Sequence, residues 1–147
     1  MPYEFKVTRM VEFSETDMAG IMHYSNLFRF METAEHGFYR SLGFSVVLDK
    51  RYPPLSFPRV HAECDFKKPL RFENLVEVHL LVKEKKPKAI TYAFRFRNLS
   101  ANPPEEAARG LLTMVCVTRA ADGAMAAAPI PKEMADKIEL APASLLD

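Results

Sequence analysis

Ser25-Asn26-Leu27-Phe28-Arg29-Phe30-Met31-Glu32-Thr33-Ala34-Glu35-His36-Gly37-Phe38-Tyr39-Arg40-Ser41-Leu42-Gly43 is the stretch that decides the fold. Leu27, Phe30, Met31, Ala34, Phe38 and Leu42 recur three or four residues apart, which lines them along one face of an α-helix. Arg29, Glu32, Glu35, His36 and Arg40 fall mostly off that stripe, so one side is expected to be buried and the other wet. Ser25 or Asn26 is suited to cap the start, and Gly43 is placed to end the helix. Gly37 in its interior costs about 1 kcal/mol relative to Ala, which points to close packing against a sheet.

On either side of this helix the apolar period changes to two, the signature of half-buried strands. Phe5, Val7, Val11 and Phe13 occupy odd positions, with Lys6, Thr8 and Glu12 between them. Val60, Ala62, Cys64 and Phe66 alternate with His61, Glu63 and Asp65. Val76, Val78, Leu80 and Val82 form a third run, and Ile90, Tyr92, Phe94 and Phe96 a fourth. Leu111 to Thr118 is apolar on both faces and suits a central strand or one at a subunit interface. Pro87 among Lys85, Lys86 and Lys88 marks one turn, and Asn102-Pro103-Pro104 another. The alanine-rich stretch from Ala120 to Ala128 reads as a turn plus a connection, and Pro131 opens a short helix over Lys132 to Lys137. The expected order is β, long α, four β, short α: an α+β domain with one antiparallel sheet and one principal helix.

The length of 147 residues fits one domain, taken as residues 1–147. Lys and Arg number 20 against 19 Asp and Glu, a net charge of +1 that provides no global basic field for nucleic acid. With 48% hydrophobic residues the composition is not that of a disordered chain. Cys64 and Cys116 have no metal-ligand spacing and are expected to be reduced core thiols. Neither a charged-then-apolar leader nor a membrane-length apolar window is present in the sequence. The expectation is a soluble, cytoplasmic protein with no membrane or nucleic-acid partner.

The chemistry is sought in the connection between the first strand and the long helix, Phe13-Ser14-Glu15-Thr16-Asp17-Met18-Ala19-Gly20-Ile21-Met22-His23-Tyr24-Ser25-Asn26. It brings a carboxylate, a glycine, an imidazole and a phenol to a helix start, where unpaired N–H groups and partial positive charge suit a developing oxyanion. Asp17 can serve there as nucleophile or as the base that activates water. Spacing alone favours the plainer reading, a loop in which Asp17 closes an ordinary turn and His23 simply packs.

Phe13 to Gly43 resembles the opening motif of the 4-hydroxybenzoyl-CoA thioesterase family, which has the hotdog fold. The matching residues are Thr16-Asp17, Gly20, His23-Tyr24 and Asn26, followed by Phe30-Met31-Glu32-Thr33-Ala34 in the helix. Cys64-Asp65-Phe66-Lys67-Lys68-Pro69-Leu70 resembles the family's second strand, and Pro129-Ile130-Pro131 its entry to the C-terminal helix. Two departures stand out: Glu73-Asn74 where members often carry Gly-Asp, and Glu35 where many carry Arg. The resemblance implies a five-stranded antiparallel sheet wrapped around one long central helix, and an acyl-CoA thioester hydrolase assembled as a homodimer or homotetramer with sites at the subunit interface. It implies Asp17 as the catalytic carboxylate, the Tyr24 backbone N–H as carbonyl polariser, and Gly20 as the residue that permits the turn between them. His23 is placed beside the reacting group or in the acyl pocket. No metal or other cofactor is implied, coenzyme A being part of the substrate.

Glu63 is a candidate to face the cleft from its strand, and Lys86 and Lys88 are candidates for the phosphates of coenzyme A, against the plainer reading of a solvated turn. His61, Glu63 and Asp65 share a strand face, but a metal site needs further ligands and supporting contacts. Phe28, Phe38, Tyr39, Phe57 and Met22 are candidates to line an acyl pocket, against the plainer reading of core. The rival functions are a non-catalytic acyl-CoA or acyl-lipid binding module and a hotdog hydratase or dehydratase acting on the acyl chain.

Overall fold

The computed structural model describes residues 1–48, 52 and 54–147. In chain order it runs β1 (Glu4–Met10), a 3₁₀ turn (Phe13–Glu15), α1 (Ser25–Ser41), β2 (Leu55–Ser56), β3 (Arg59–Phe66) and β4 (Leu75–Lys85). There follow β5 (Ala89–Asn98), β6 (Glu105–Val115), β7 (Val117–Arg119), β8 (Met125–Ala127), α2 (Lys132–Lys137) and α3 (Ala143–Leu146). Five strands form one sheet in the order β1-β4-β5-β6-β3, every neighbouring pair antiparallel. The long helix lies against one face of it, the α+β arrangement expected. Among the described residues no helix is long and apolar enough to cross a membrane.

The helix stripe meets the alternating strands β4 and β5 as their periods require. On β3, by contrast, the apolar alternates Val60, Ala62 and Phe66 are exposed because that strand is at the sheet edge. Phe30, Met31, Ala34 and Phe38 of α1 are buried in one cluster with Val76, Val78, Leu80 and Val82 of β4 and Ile90, Tyr92, Phe94 and Phe96 of β5. Each such large apolar side chain contributes about 1.5–3 kcal/mol by leaving water. Gly37 has a specific reason: a Cβ there would lie 2.6 Å from Cε2 of Phe5, whose ring from β1 occupies the space a side chain would fill. Gly43, at φ +89°, ends the helix as expected.

Several local expectations are corrected. β1 stops at Met10, and Phe13 lies in the 3₁₀ turn with 77% exposure. The chain leaves the sheet there because the Glu12 N–H donates to Oε1 of Glu15 at 2.8 Å instead of to a neighbouring strand. Neither Ser25 nor Asn26 caps α1; Tyr24 occupies that position without a side-chain bond. The Ser25 hydroxyl pairs with Nδ1 of His23 at 2.8 Å, and the buried Asn26 donates from Nδ2 to the Glu15 carbonyl at 2.9 Å. The apolar run from Leu111 divides at Cys116 between β6 and β7. The alanine-rich stretch contributes β8 to a second sheet, in the order β2-β7-β8. α3 is too short to show a helical period in the sequence. Leu146 and Ala141 pack on Leu81, Ala93, Tyr3 and Leu111, covering part of the sheet face that α1 does not touch.

One polar cluster is buried between helix and sheet. Glu35, 0% exposed, accepts from Nη2 of Arg59 and from the Tyr39 hydroxyl at 3.2 Å. Because that hydroxyl proton is committed to Glu35, Tyr39 accepts the proton of Tyr92, 2.9 Å away. Arg59 also donates from Nη1 to the Phe57 carbonyl. Burial raises the Glu35 carboxyl above the usual range, with Arg59 holding it partly down. Burial likewise raises both tyrosines, which keeps them protonated donors.

Arg59→Met would leave a buried carboxylate without its counter-ion, a loss of about 3–5 kcal/mol in urea denaturation. A carboxyl whose folded pKa is raised contributes stability that is full below its unfolded pKa and is lost as pH rises through the folded value. The deficit of Arg59→Met relative to the unaltered chain is therefore expected to be larger at pH 8 than at pH 5. Equal deficits at both values would show that Glu35 does not enter the core as a charge.

Candidate active site

The connection from β1 to α1 is a closed, pinned turn. Asp17 donates its N–H to the Ile21 carbonyl at 3.0 Å, and its own carbonyl accepts from Gly20 N–H at 3.0 Å. Asp17 Oδ1 accepts from Ala19 N–H at 2.8 Å, and no partner is assigned to Oδ2 among the described residues. Gly20 sits at φ +78° with open space around it, so its requirement is one of backbone geometry alone. Met22 N–H donates to the Leu70 carbonyl at 2.7 Å and His23 N–H to the Glu15 carbonyl at 2.8 Å, docking the turn on its surroundings. The Glu15 carboxylate receives Arg9 Nη2 at 3.3 Å as well as the Glu12 N–H. Glu15 therefore serves as the anchor of the turn, a role the sequence did not single out.

A cavity of about 380 Å³ opens beside this turn. Asp17 and Tyr24 form one wall; Phe66, Lys67 and Lys68, at the end of β3 and just beyond it, form another. Met22, Leu27 and Leu70 make an apolar floor. The Tyr24 and Phe66 rings stand edge to face with centroids 6.3 Å apart. The Tyr24 N–H has no hydrogen-bond partner among the described residues, although Asn26 N–H and Leu27 N–H donate to the carbonyls of His23 and Tyr24. An unpaired donor at the start of a 17-residue helix thus shares a cavity with an exposed carboxylate. Such an arrangement can hold a carbonyl oxygen and present a nucleophile or a base to its carbon.

The other sequence candidates are distributed as follows. His23 stacks on Tyr24 with ring centroids 4.5 Å apart, outside the cavity lining, and its Nδ1 is engaged by Ser25. Glu63 is exposed on β3, 3.1 Å from His61, and lines a different depression. Lys86 and Lys88 lie in the β4–β5 turn, at the end of the sheet opposite Asp17, with Lys86 Nζ 3.1 Å from Glu84. Of the aromatic and Met candidates for the acyl pocket, only Met22 lines the cavity; Phe38, Tyr39 and Phe57 are core. Cys64 is no ready nucleophile, because burial and then Asp65 push its thiol up to about 12. Cys116 is buried and its thiol is also raised. Phe66, Lys67 and Lys68 also line the cavity without being among the sequence candidates; their signal in the sequence is a basic pair set against Pro69, informative once β3 ends beside Tyr24.

A long helix held against one face of a five-stranded antiparallel sheet is the arrangement of the hotdog thioesterase fold. Residues 11–138 match the thioesterase-like superfamily, and the chain belongs to that family. A protein of Aquifex aeolicus (strain VF5) that carries the name of an esterase is 38% identical over 94 residues, covering 64% of this chain and 71% of that one. The 1,4-dihydroxy-2-naphthoyl-CoA hydrolase of Parasynechococcus marenigrum (strain WH8102) is 32% identical over 82 residues, 51% of this chain and 54% of that protein. The match therefore spans just over half the length of that hydrolase. The solved structure of a gentisyl-coenzyme A thioesterase is 31% identical, with a TM-score of 0.74, covering 87% of this chain and 97% of that one. The resemblance drawn from Thr16-Asp17, Gly20 and His23-Tyr24 is thereby borne out for family and fold.

Gly20 gives the turn its own test. An L-residue held in the left-handed region costs about 1–2 kcal/mol, and the open space leaves no steric contribution. Gly20→Ala is expected to lower stability by about that amount and Gly20→Asn by less, because Asn tolerates this conformation. Urea denaturation of the two variants checks the order; an unchanged Gly20→Ala midpoint would refute the strained turn.

Proposed function

We propose that this chain is an acyl-CoA thioesterase that hydrolyses a thioester to the free acid and coenzyme A. The observation that carries the reading is the shared cavity of Asp17 and the unpaired Tyr24 N–H at the start of α1. Family membership and the names of the relatives support the reaction class. The thioester carbonyl oxygen is placed toward the Tyr24 N–H, where the helix terminus favours negative charge as the carbonyl is attacked. Asp17 either attacks the carbonyl carbon, expelling the thiolate and leaving an anhydride that water opens, or takes a proton from the water that attacks. In both routes the C–S bond breaks, a C–O bond forms, and the thiolate leaves to be protonated as coenzyme A thiol. Solvent-oxygen labelling under single turnover separates them, because only the anhydride route puts label into Asp17. Gly20 holds the turn; His23 backs the Tyr24 ring. The Phe66 ring and the apolar floor suit the acyl group.

Asp17→Asn preserves shape and keeps an oxygen for the Ala19 N–H but removes the charge. It is expected to lower kcat by at least about 10²-fold, with KM and stability changed far less, in an assay of thiol release. Retention of most activity would move the catalytic role away from Asp17. Failure of the unaltered chain to release thiol from any acyl-CoA, from short-chain to aroyl, would favour the binding-module or hydratase alternatives.

We also propose a homodimer, or a tetramer built from dimers. β3 is an edge strand whose Val60 and Phe66 are 62% and 55% exposed, an uncovered apolar edge of the kind that pairs with another chain. Antiparallel pairing of two β3 edges would turn the partner's β4–β5 turn toward the Asp17 end, bringing a second copy of Lys86, Lys88 and Glu63 toward the substrate. Light scattering is expected to give at least a dimer at micromolar concentration, and Lys86→Gln/Lys88→Gln to raise KM with kcat nearly unchanged. A stable monomer would remove both proposals together.

A further inference from the structure

On the sheet face turned away from α1, strand register lines up basic side chains. Lys6 of β1 lies opposite His79 of β4, His79 opposite Arg95 of β5, and Arg95 opposite Arg109 of β6, with Asp65 of β3 closing the row. The next row sets Arg97 between Glu77 and Glu106. Like charges directly opposed across strands destabilise a sheet, and here one guanidinium faces another. Carboxylates compensate part of this. Glu106 pairs with Arg109 and, at 3.2 Å, with Lys67; Glu4 pairs with His79 at 2.8 Å; Glu77 lies 4.0 Å from Arg97. Arg95 pairs with no carboxylate among the described residues and donates from Nη2 to the Leu146 carbonyl at 2.8 Å. Lys6 has no partner among the described residues.

These side chains enclose a depression of about 250 Å³, in which Lys6, Arg95, Arg97 and Arg109 face Glu77 and Glu106. Apart from His79, which is paired with Glu4, four cations face two carboxylates, an excess of +2. We infer that this depression is a phosphate-binding site that takes a phosphomonoester or diphosphate group. Guanidinium forks match phosphate oxygens in pairs, and a phosphomonoester brings about −1.5 to −2 charge, which matches the excess. Glu106 bridges Arg109 to Lys67, and Lys67 lines the Asp17 cavity, so the depression lies at the same end of the sheet as that cavity. The phosphate can therefore come from the nucleotide end of a coenzyme A thioester, which rests on the function proposed above, or from a free phosphate compound in solution.

Calorimetric titration with pyrophosphate and with adenosine 3′,5′-bisphosphate tests the site without requiring hydrolysis, so failure of the thioesterase reading leaves the test intact. The unaltered chain is expected to bind at least one of them, and Lys6→Gln/Arg97→Gln to bind it about tenfold more weakly. Both side chains are exposed, so the fold is retained and circular dichroism verifies it. A parallel rise in KM for acyl-CoA, with none for the corresponding acyl-pantetheine, identifies the substrate nucleotide as the source; weakened binding with unchanged KM identifies free phosphate. Equal binding by both proteins, or no binding by the unaltered chain at millimolar ligand, overturns the inference. So does a variant that changes only the oligomeric state, since the row would then be a contact between subunits.

Discussion

The packing of the α1 stripe onto the inner faces of β4 and β5 sets the position of everything that matters chemically. Phe30, Met31 and Phe38 enter the same buried cluster as Val78, Leu80, Phe94 and Phe96, and this fixes where the helix begins. The helix start is in turn tied to the preceding turn by Asn26, buried and bonded to the Glu15 carbonyl. Glu15 receives His23 N–H on that same carbonyl and Arg9 and the Glu12 N–H on its carboxylate. Core burial thus passes through two polar residues to the carboxylate of Asp17. The carboxylate and the Tyr24 N–H are thereby carried on one hydrogen-bonded turn, which under the proposed mechanism limits the reorganisation required as charge develops on a carbonyl.

The long helix and the inner faces of the strands were legible because a single buried face imposes a period, and Phe30, Phe38, Val78 and Phe94 obey it. Elements governed by local polar bonds were not. Phe13 continues the odd-numbered apolar series in sequence, yet the Glu12–Glu15 bond bends the chain and exposes the ring. Ser25 and Asn26 have the chemistry of caps but are drawn to His23 and Glu15 by partners that only the folded loop supplies. Within the candidate site, Asp17, Gly20 and Tyr24 share one short segment, so sequence proximity carried them. Lys67 and Lys68 are some fifty residues away along the chain, and only the end of β3 beside Tyr24 brings them in.

Glu35 illustrates a different limit. The sequence places it off the apolar stripe, as a solvent-facing residue would be, yet it is buried with Arg59, Tyr39 and Tyr92. A buried ion pair of this kind gives up much of its Coulomb attraction to desolvation, so its net contribution to stability is small while its disruption is costly. Its effect is geometric: Arg59 is the first residue of β3, and its bonds fix that strand's entry to the helix at one register.

The Phe5 ring lodged against Gly37 makes β1 a depth stop for the helix. The two positions form one steric unit although they lie on different elements: the volume missing at one is the volume present at the other. A larger side chain at either position alone would lift the C-terminal half of the helix from the sheet and tilt the turn that carries Asp17. Related chains should therefore vary freely along the wet side of α1 while changing positions 5 and 37 together, with a small residue at one matched by a large one at the other.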